Sequence, residues 1–170
     1  MNRTRRTLLL ISLLVILAYG LYFALSREHI LRNGELVLLE LAPVDPRSLL
    51  QGDYMDLRYT IGQDLMDQEL PGAGYLILLP DSSGLMQRVR AEAELSALAP
   101  GEVPLTYRLR ESSVWGGRLL VLGAESYFFE EGLADTFARA RYGGLRLDGR
   151  GGSVLAGLYD ADLRLIDPPH

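Results

Sequence analysis

The chain has 170 residues, of which 48% are hydrophobic, and it carries a formal net charge of -5 at pH 7. This length suits one domain plus an anchor, and this apolar content is sufficient for a packed core. The sequence contains neither Cys nor Lys. It therefore excludes a disulfide framework, a thiolate zinc site, a Cys nucleophile and Lys-based catalysis. An acidic domain repels phosphate backbones, so we expect no nucleic-acid partner.

The first feature along the chain is an uncharged apolar run over residues 7–26. Twenty helical residues span about 30 Å, the thickness of the hydrocarbon core of a bilayer. Arg3, Arg5 and Arg6 precede the run and no acidic residue does, so the positive-inside rule predicts a cytoplasmic N-terminus. We therefore predict an uncleaved transmembrane helix in contact with membrane lipid, and an extracytoplasmic domain beyond it.

A cleaved signal peptide is the alternative interpretation of this run. Ala24, Leu25 and Ser26 form a small-residue stretch that suits signal peptidase. Cleavage after Ser26 would release a soluble secreted domain. The run is longer than the roughly 7–15 apolar residues of a signal peptide, which favours the anchor.

Beyond the anchor, we expect the helix to continue over residues 27–33 and to end at Asn33-Gly34. Residues 35–41 predict a strand. Residues 54–61 alternate strictly, which predicts a strand that buries four side chains on one face, namely Met55, Leu57, Tyr59 and Ile61. A helical turn is expected at residues 48–50.

The remaining segments predict further short strands and one short helix. Strands are expected at 75–79, 85–93, 103–110, 118–122, 144–147 and 153–159, with Arg108 and Arg110 facing outward, and the helix is expected at 132–141. Turn residues at 81–84 and 148–151 predict two hairpins. The fold class is therefore an N-terminal transmembrane helix plus a mainly-β (β-rich α+β) domain, a small barrel or sandwich of about eight strands.

These elements divide the chain into four segments. They are a basic cytoplasmic N-terminus (1–6), the transmembrane helix (7–26), a helical linker (27–34) and the β-rich domain (35–167).

One short motif carries a family resemblance. Residues 52–59 read GDYMDLRY and match G-D-Y-x-x-L-x-Y at every fixed position. A second stretch, GAESYF at 123–128 followed by Glu131-Gly132, also resembles the membrane-anchored bacterial GDYXXLXY family. The sequence departs from the family where Glu130 replaces an expected Pro and Leu122 an expected Tyr.

The resemblance implies a bacterial envelope protein without an assigned activity. Members are single-span proteins of the inner membrane with a periplasmic domain, and they are often encoded beside multi-span membrane proteins. We therefore expect an accessory protein that binds or stabilises a multi-span partner, without enzymatic activity and without a cofactor. The alternative is a carboxylate-based hydrolase or binder of envelope glycans that uses Asp53, Glu125 or Glu131.

The motif residues have a structural and a functional interpretation. In the structural one, Gly52 occupies a turn, Asp53 accepts backbone N–H bonds there, and the Tyr and Leu side chains pack. In the functional one, Asp53 forms a recognition patch with Asp45 and Arg47 on a loop. The full set of candidate residues is Asp45, Arg47, Gly52, Asp53, Tyr54, Leu57, Tyr59, Glu125, Tyr127, Phe128, Glu131 and Gly132.

Other polar and aromatic residues offer weaker signals. Glu130 and Glu131 precede the predicted helix, where acidic side chains act as caps. The His residues lack metal-ligand spacing, so we predict no metal site. Trp115 suits either an exposed anchor or a core position.

Overall fold

The computed structural model describes residues 3–42, 54–65, 70–111 and 118–167. It opens with a long helix, α1 (Arg3–Asn33). This helix is long and apolar enough to cross a membrane, and its apolar side chains are exposed through Leu25. The helix continues past the apolar run and ends before Gly34, as the sequence predicts.

The described residues after α1 form nine strands and two short helical segments. The strands are β1 (Glu35–Glu40), β2 (Tyr54–Asp56), β3 (Ala73–Pro80), β4 (Met86–Glu92), β5 (Val103–Glu111), β6 (Arg118–Val121), β7 (Ser126–Phe128), β8 (Tyr142–Leu147) and β9 (Ser153–Tyr159). A 3-10 helix spans Thr60–Leu65, and α2 spans Ala134–Phe137. The predicted fold class is confirmed.

Three antiparallel sheets enclose one core. Their strand orders are β1-β8-β9, β2-β7 and β4-β3-β5-β6. Two single bridges join the two larger sheets, Leu38 to Leu85 and Leu105 to Gly151. Within the described ranges, continuous strand pairing does not close these sheets into a barrel.

The core is built by strand alternation, which sends every second side chain to the same face. In β5, Val103, Leu105 and Tyr107 are buried, whereas Arg108 and Arg110 are exposed. β3, which lies between β4 and β5, adds a consecutive buried run, Leu76 to Leu78, so side chains on both of its faces are buried. Both predicted hairpins are present, since β3 pairs with β4 and β8 with β9.

The predicted strand at 54–61 is too long. Its burial alternates as expected, with Met55, Leu57 and Tyr59 buried. However, β2 ends at Asp56 because its partner β7 offers only three residues for pairing. The chain then makes one bridge at Tyr59 and enters the 3-10 helix, which includes Ile61.

The helix predicted at 132–141 is also wrong in length, since α2 has only four residues. The N–H of Arg141 donates a hydrogen bond to the carbonyl of Tyr159 in β9. The chain therefore enters the sheet where the predicted helix would continue. Strand β7 was not predicted. The turn expected at 48–50 and Trp115 lie outside the described residues.

Candidate functional site

The motif has one part within the described residues and one part outside them. Asp45, Arg47, Gly52 and Asp53 lie outside, so the proposed recognition loop stays a prediction. Tyr54, Leu57 and Tyr59 are described, and so are all the candidate residues of the second stretch.

Tyr59 is the most constrained of these side chains. It is 8% exposed, and its hydroxyl donates a 2.7 Å hydrogen bond to the carbonyl of Ala124. Burial, assisted by the negative charge of Glu125, raises the pKa of Tyr59 far above its usual value. Its ring lies against Gly143, where an added Cβ would be 2.9 Å from Cε1. The last residue of the motif is therefore buried between the second stretch and β8, and it contacts both.

The other described motif residues also contact the second stretch. Leu57 is buried, and its N–H donates to the carbonyl of Glu125 at 2.6 Å. Tyr54 pairs with Phe128 across β2 and β7, and their ring centroids are 5.8 Å apart. The two family-like stretches thus form one structural unit, and the predicted packing roles of Leu57 and Tyr59 are confirmed.

The carboxylate of Glu125 binds main-chain N–H groups of its own turn. Its carboxylate accepts the N–H of Leu122 and, at 3.0 Å, the N–H of Gly123. Gly123 has a φ of +83°, a conformation that other residues rarely adopt. Both carboxylate oxygens of Glu125 are thus occupied by main-chain N–H groups of its own turn. This geometry counts against Glu125 as half of a hydrolytic pair.

Tyr127 belongs to an aromatic cluster that holds α2. Its ring meets Phe137 edge-on with centroids 5.0 Å apart, and Phe129 lies 5.3 Å from the same ring. Burial raises the pKa of Tyr127, and the charge of Asp167 adds to this shift. The buried Phe137 is thereby fixed between two half-buried rings.

Glu131 and Gly132 form an exposed turn before α2, in which Gly132 has a φ of +87°. The predicted capping role of Glu130 and Glu131 is wrong. The N-cap residue is Leu133, and no side chain caps this end of the helix. Glu130 instead accepts the N–H of Leu133 through its main-chain carbonyl.

A small cavity adjoins the motif. Its volume is about 280 Å³, and Leu57, Tyr59, Leu120, Leu122 and Glu125 are among the residues that line it. Charged and polar residues also line this cavity, namely Asp56, Arg58 and Gln63. Within the part of the chain that the structure describes, no group of three His, Asp or Glu residues has metal-binding geometry.

The exposed face of the same unit is aromatic. Phe128 is 74% exposed, although it lies in a strand and packs only one side of its ring on Tyr54. The sequence identified Tyr54 and Phe128 as candidate residues, but it did not predict the cavity that adjoins the motif. The Leu residues of β6 that line the cavity resembled ordinary core positions.

Comparison with known proteins bears on the same residues. The model of the family described as GDYXXLXY protein matches residues 16–158, which include the second half of α1, the motif and the second stretch. A search of curated proteins found no match, and neither did a search of solved structures. Because the family model covers most of the chain, this protein belongs to the GDYXXLXY family.

Proposed function

We propose that the protein is a non-catalytic accessory subunit of the bacterial inner membrane. Its N-terminus is cytoplasmic, its domain is periplasmic, and the domain binds and stabilises a multi-span membrane protein. The observation that carries this proposal is the junction between α1 and the domain.

The junction is tight on both sides of the helix end. Ile30, the last apolar residue but one of α1, is 8% exposed within the domain. Arg27 donates to the carbonyl of Ser153 at 2.7 Å, and Arg146 donates to the carbonyl of Gly34 at 2.8 Å. A Cβ at Gly34 would lie 2.5 Å from the carbonyl of Ile30. This packing holds the domain at a fixed orientation to the helix, as binding to a membrane-embedded partner requires.

The Tyr54–Phe128 pair supports partner binding. Large aromatic side chains on a rigid base lose little entropy on association and are enriched among residues that dominate binding energy. The core beneath this pair contains Met55, Leu57 and Tyr127. The engaged carboxylate of Glu125 supports the non-catalytic part of the proposal.

Orientation is tested first, and the absence of Cys makes the test direct. Asn2→Cys and Val89→Cys are made separately, since Val89 is a half-exposed strand residue. A membrane-impermeant maleimide should label Val89→Cys in spheroplasts and Asn2→Cys only after permeabilisation. The reverse pattern would place the domain in the cytoplasm, and labelling of a soluble fragment would indicate cleavage.

Partner binding is tested by photocrosslinking from native membranes. A crosslinking amino acid replaces Phe128 in one variant and Val89 in the control. We expect a multi-span membrane protein to be crosslinked from position 128 only, and Tyr54→Ala to reduce its recovery in mild detergent about tenfold, the loss of one hot spot. Equal crosslinking from both positions would contradict the proposal. Turnover of envelope glycans by the purified protein would instead support the hydrolase.

A further inference from the structure

A second and larger cavity lies where α1 meets the domain. Its volume is about 540 Å³, within the range of small-molecule sites. Residues from α1, β3, β5 and the start of β9 line it, including Arg27, Tyr75, Tyr107, Arg108, Arg110 and Ser153. None of these six residues belongs to the motif site, and Leu122 lines both cavities.

The charge of this cavity is opposite to that of the domain. Residues 27–170 contain 22 acidic residues against 14 Arg, yet the described residues that line the cavity include three Arg and no acid. Arg108 and Arg110 form no ion pair or hydrogen bond with any described residue. Among the described residues, no neighbour neutralises either guanidinium group, so both can bind an anion.

A third guanidinium, that of Arg27, lines the same cavity. Tyr107 also adjoins the cavity, but its side chain is 1% exposed and its hydroxyl is buried, so it offers no contact to a ligand. Arg27 is already oriented by Ser153 and by the ring of Phe23, 5.2 Å away.

The position of the cavity selects among anions. Arg27 is the first residue after the uncharged run at 7–26, and it lines the cavity directly. If α1 spans the bilayer, Arg27 lies at the level of the lipid headgroups, just outside the hydrocarbon core. Arg is the residue best suited to phosphate because its planar guanidinium makes paired hydrogen bonds.

We propose that this basic cavity binds the phosphate of an anionic membrane phospholipid, held by Arg108 and Arg110 beside Arg27. The inference rests on the membrane insertion of α1 that the proposed function includes. A bound headgroup would fix the domain against the membrane surface.

The test uses the full-length protein in mild detergent, titrated with dioctanoyl-phosphatidylglycerol and followed by native mass spectrometry. Arg108→Gln/Arg110→Gln should weaken binding about tenfold, equivalent to 1.4 kcal/mol. The control Arg139→Gln/Arg164→Gln removes the same charge from exposed residues outside the cavity and should leave affinity unchanged. Tyr107→Phe is a second control, because the buried hydroxyl is out of reach of a ligand, and it should also leave affinity unchanged.

Separate outcomes would overturn the proposal. Equal losses in the two Arg pairs would mean that general charge attraction binds the lipid. Inorganic phosphate that binds as tightly as the lipid, with the same dependence on Arg108 and Arg110, would make free phosphate the ligand. Carbonate extraction of native membranes tests insertion of α1 independently, so failure of the anchor is distinguished from failure of the cavity.

Discussion

The hydroxyl of Tyr59 donates a 2.7 Å hydrogen bond to the main-chain carbonyl of Ala124, 65 residues later in the chain. This bond joins the last position of the family motif to the second family-like stretch. Both ends are buried, so neither group has water as a substitute. The spacing of the motif thereby serves a long-range contact, which explains why two separated stretches characterise one family.

Removal of this hydroxyl should destabilise the domain. Tyr59→Phe retains the ring but leaves the buried carbonyl of Ala124 without its donor, at a cost of about 1–3 kcal/mol. Chemical denaturation of the full chain in detergent, followed by near-UV circular dichroism, measures the loss. The matched control is Tyr54→Phe, whose hydroxyl bonds to no described residue. Equal stabilities of the two variants would contradict the role of the bond.

Gly143 should tolerate no side chain while Tyr59 is present. In Gly143→Ala the new Cβ would lie 2.9 Å from Cε1 of Tyr59 and 3.0 Å from its hydroxyl. Such overpacking costs about 1–3 kcal/mol. In the double variant with Tyr59→Leu the clash is absent, so the combined loss should be smaller than the sum of the single losses. Strict additivity in this double-mutant cycle would show that Gly143 is needed for another reason.

Glu125 should contribute to the stability of the domain rather than to catalysis. Glu125→Ala removes the acceptor for the N–H groups of Leu122 and Gly123, and we expect a loss of about 1.5–3 kcal/mol for these charge-assisted bonds. Glu131→Ala is the control, because Glu131 is exposed and such substitutions change stability by about 0.5 kcal/mol or less. Urea denaturation of both variants provides the comparison. A Glu125→Ala protein of normal stability would reopen the catalytic interpretation.

Alkaline pH should destabilise the fold. Burial raises the pKa of Tyr59, Tyr107 and Tyr127 above the ordinary value near 10. The folded state therefore keeps these protons longer than the unfolded state, so stability is intact below about pH 10 and falls as the pH rises further. One such tyrosine contributes a slope of about 1.4 kcal/mol per pH unit. Denaturation from pH 8 to 11 should show a shallower decline for Tyr59→Phe than for the wild type, and an identical decline would contradict the assignment.

Local sequence pattern predicted which side chains are buried better than it predicted element lengths. The alternation at residues 54–61 identified Met55, Leu57 and Tyr59 as inward-facing because side-chain direction depends on the chain itself. The length of β2 depends on β7, a partner some 70 residues away that offers three positions. Likewise, α2 is shorter than the helix predicted at 132–141, because the N–H of Arg141 bonds to Tyr159 in β9.

The sequence by itself determined the apolar helix, the predominance of strands, the hairpins and the family, because each depends on residues that are neighbours along the chain. Only the tertiary structure decided that Glu125 binds its own turn, that Tyr59 reaches Ala124, and that Arg27 shares a cavity with Arg108 and Arg110. The contacts of Tyr59 and of Arg27 join segments that are far apart in the chain. Their geometry follows from strand pairing and core packing, which act on the whole chain at once.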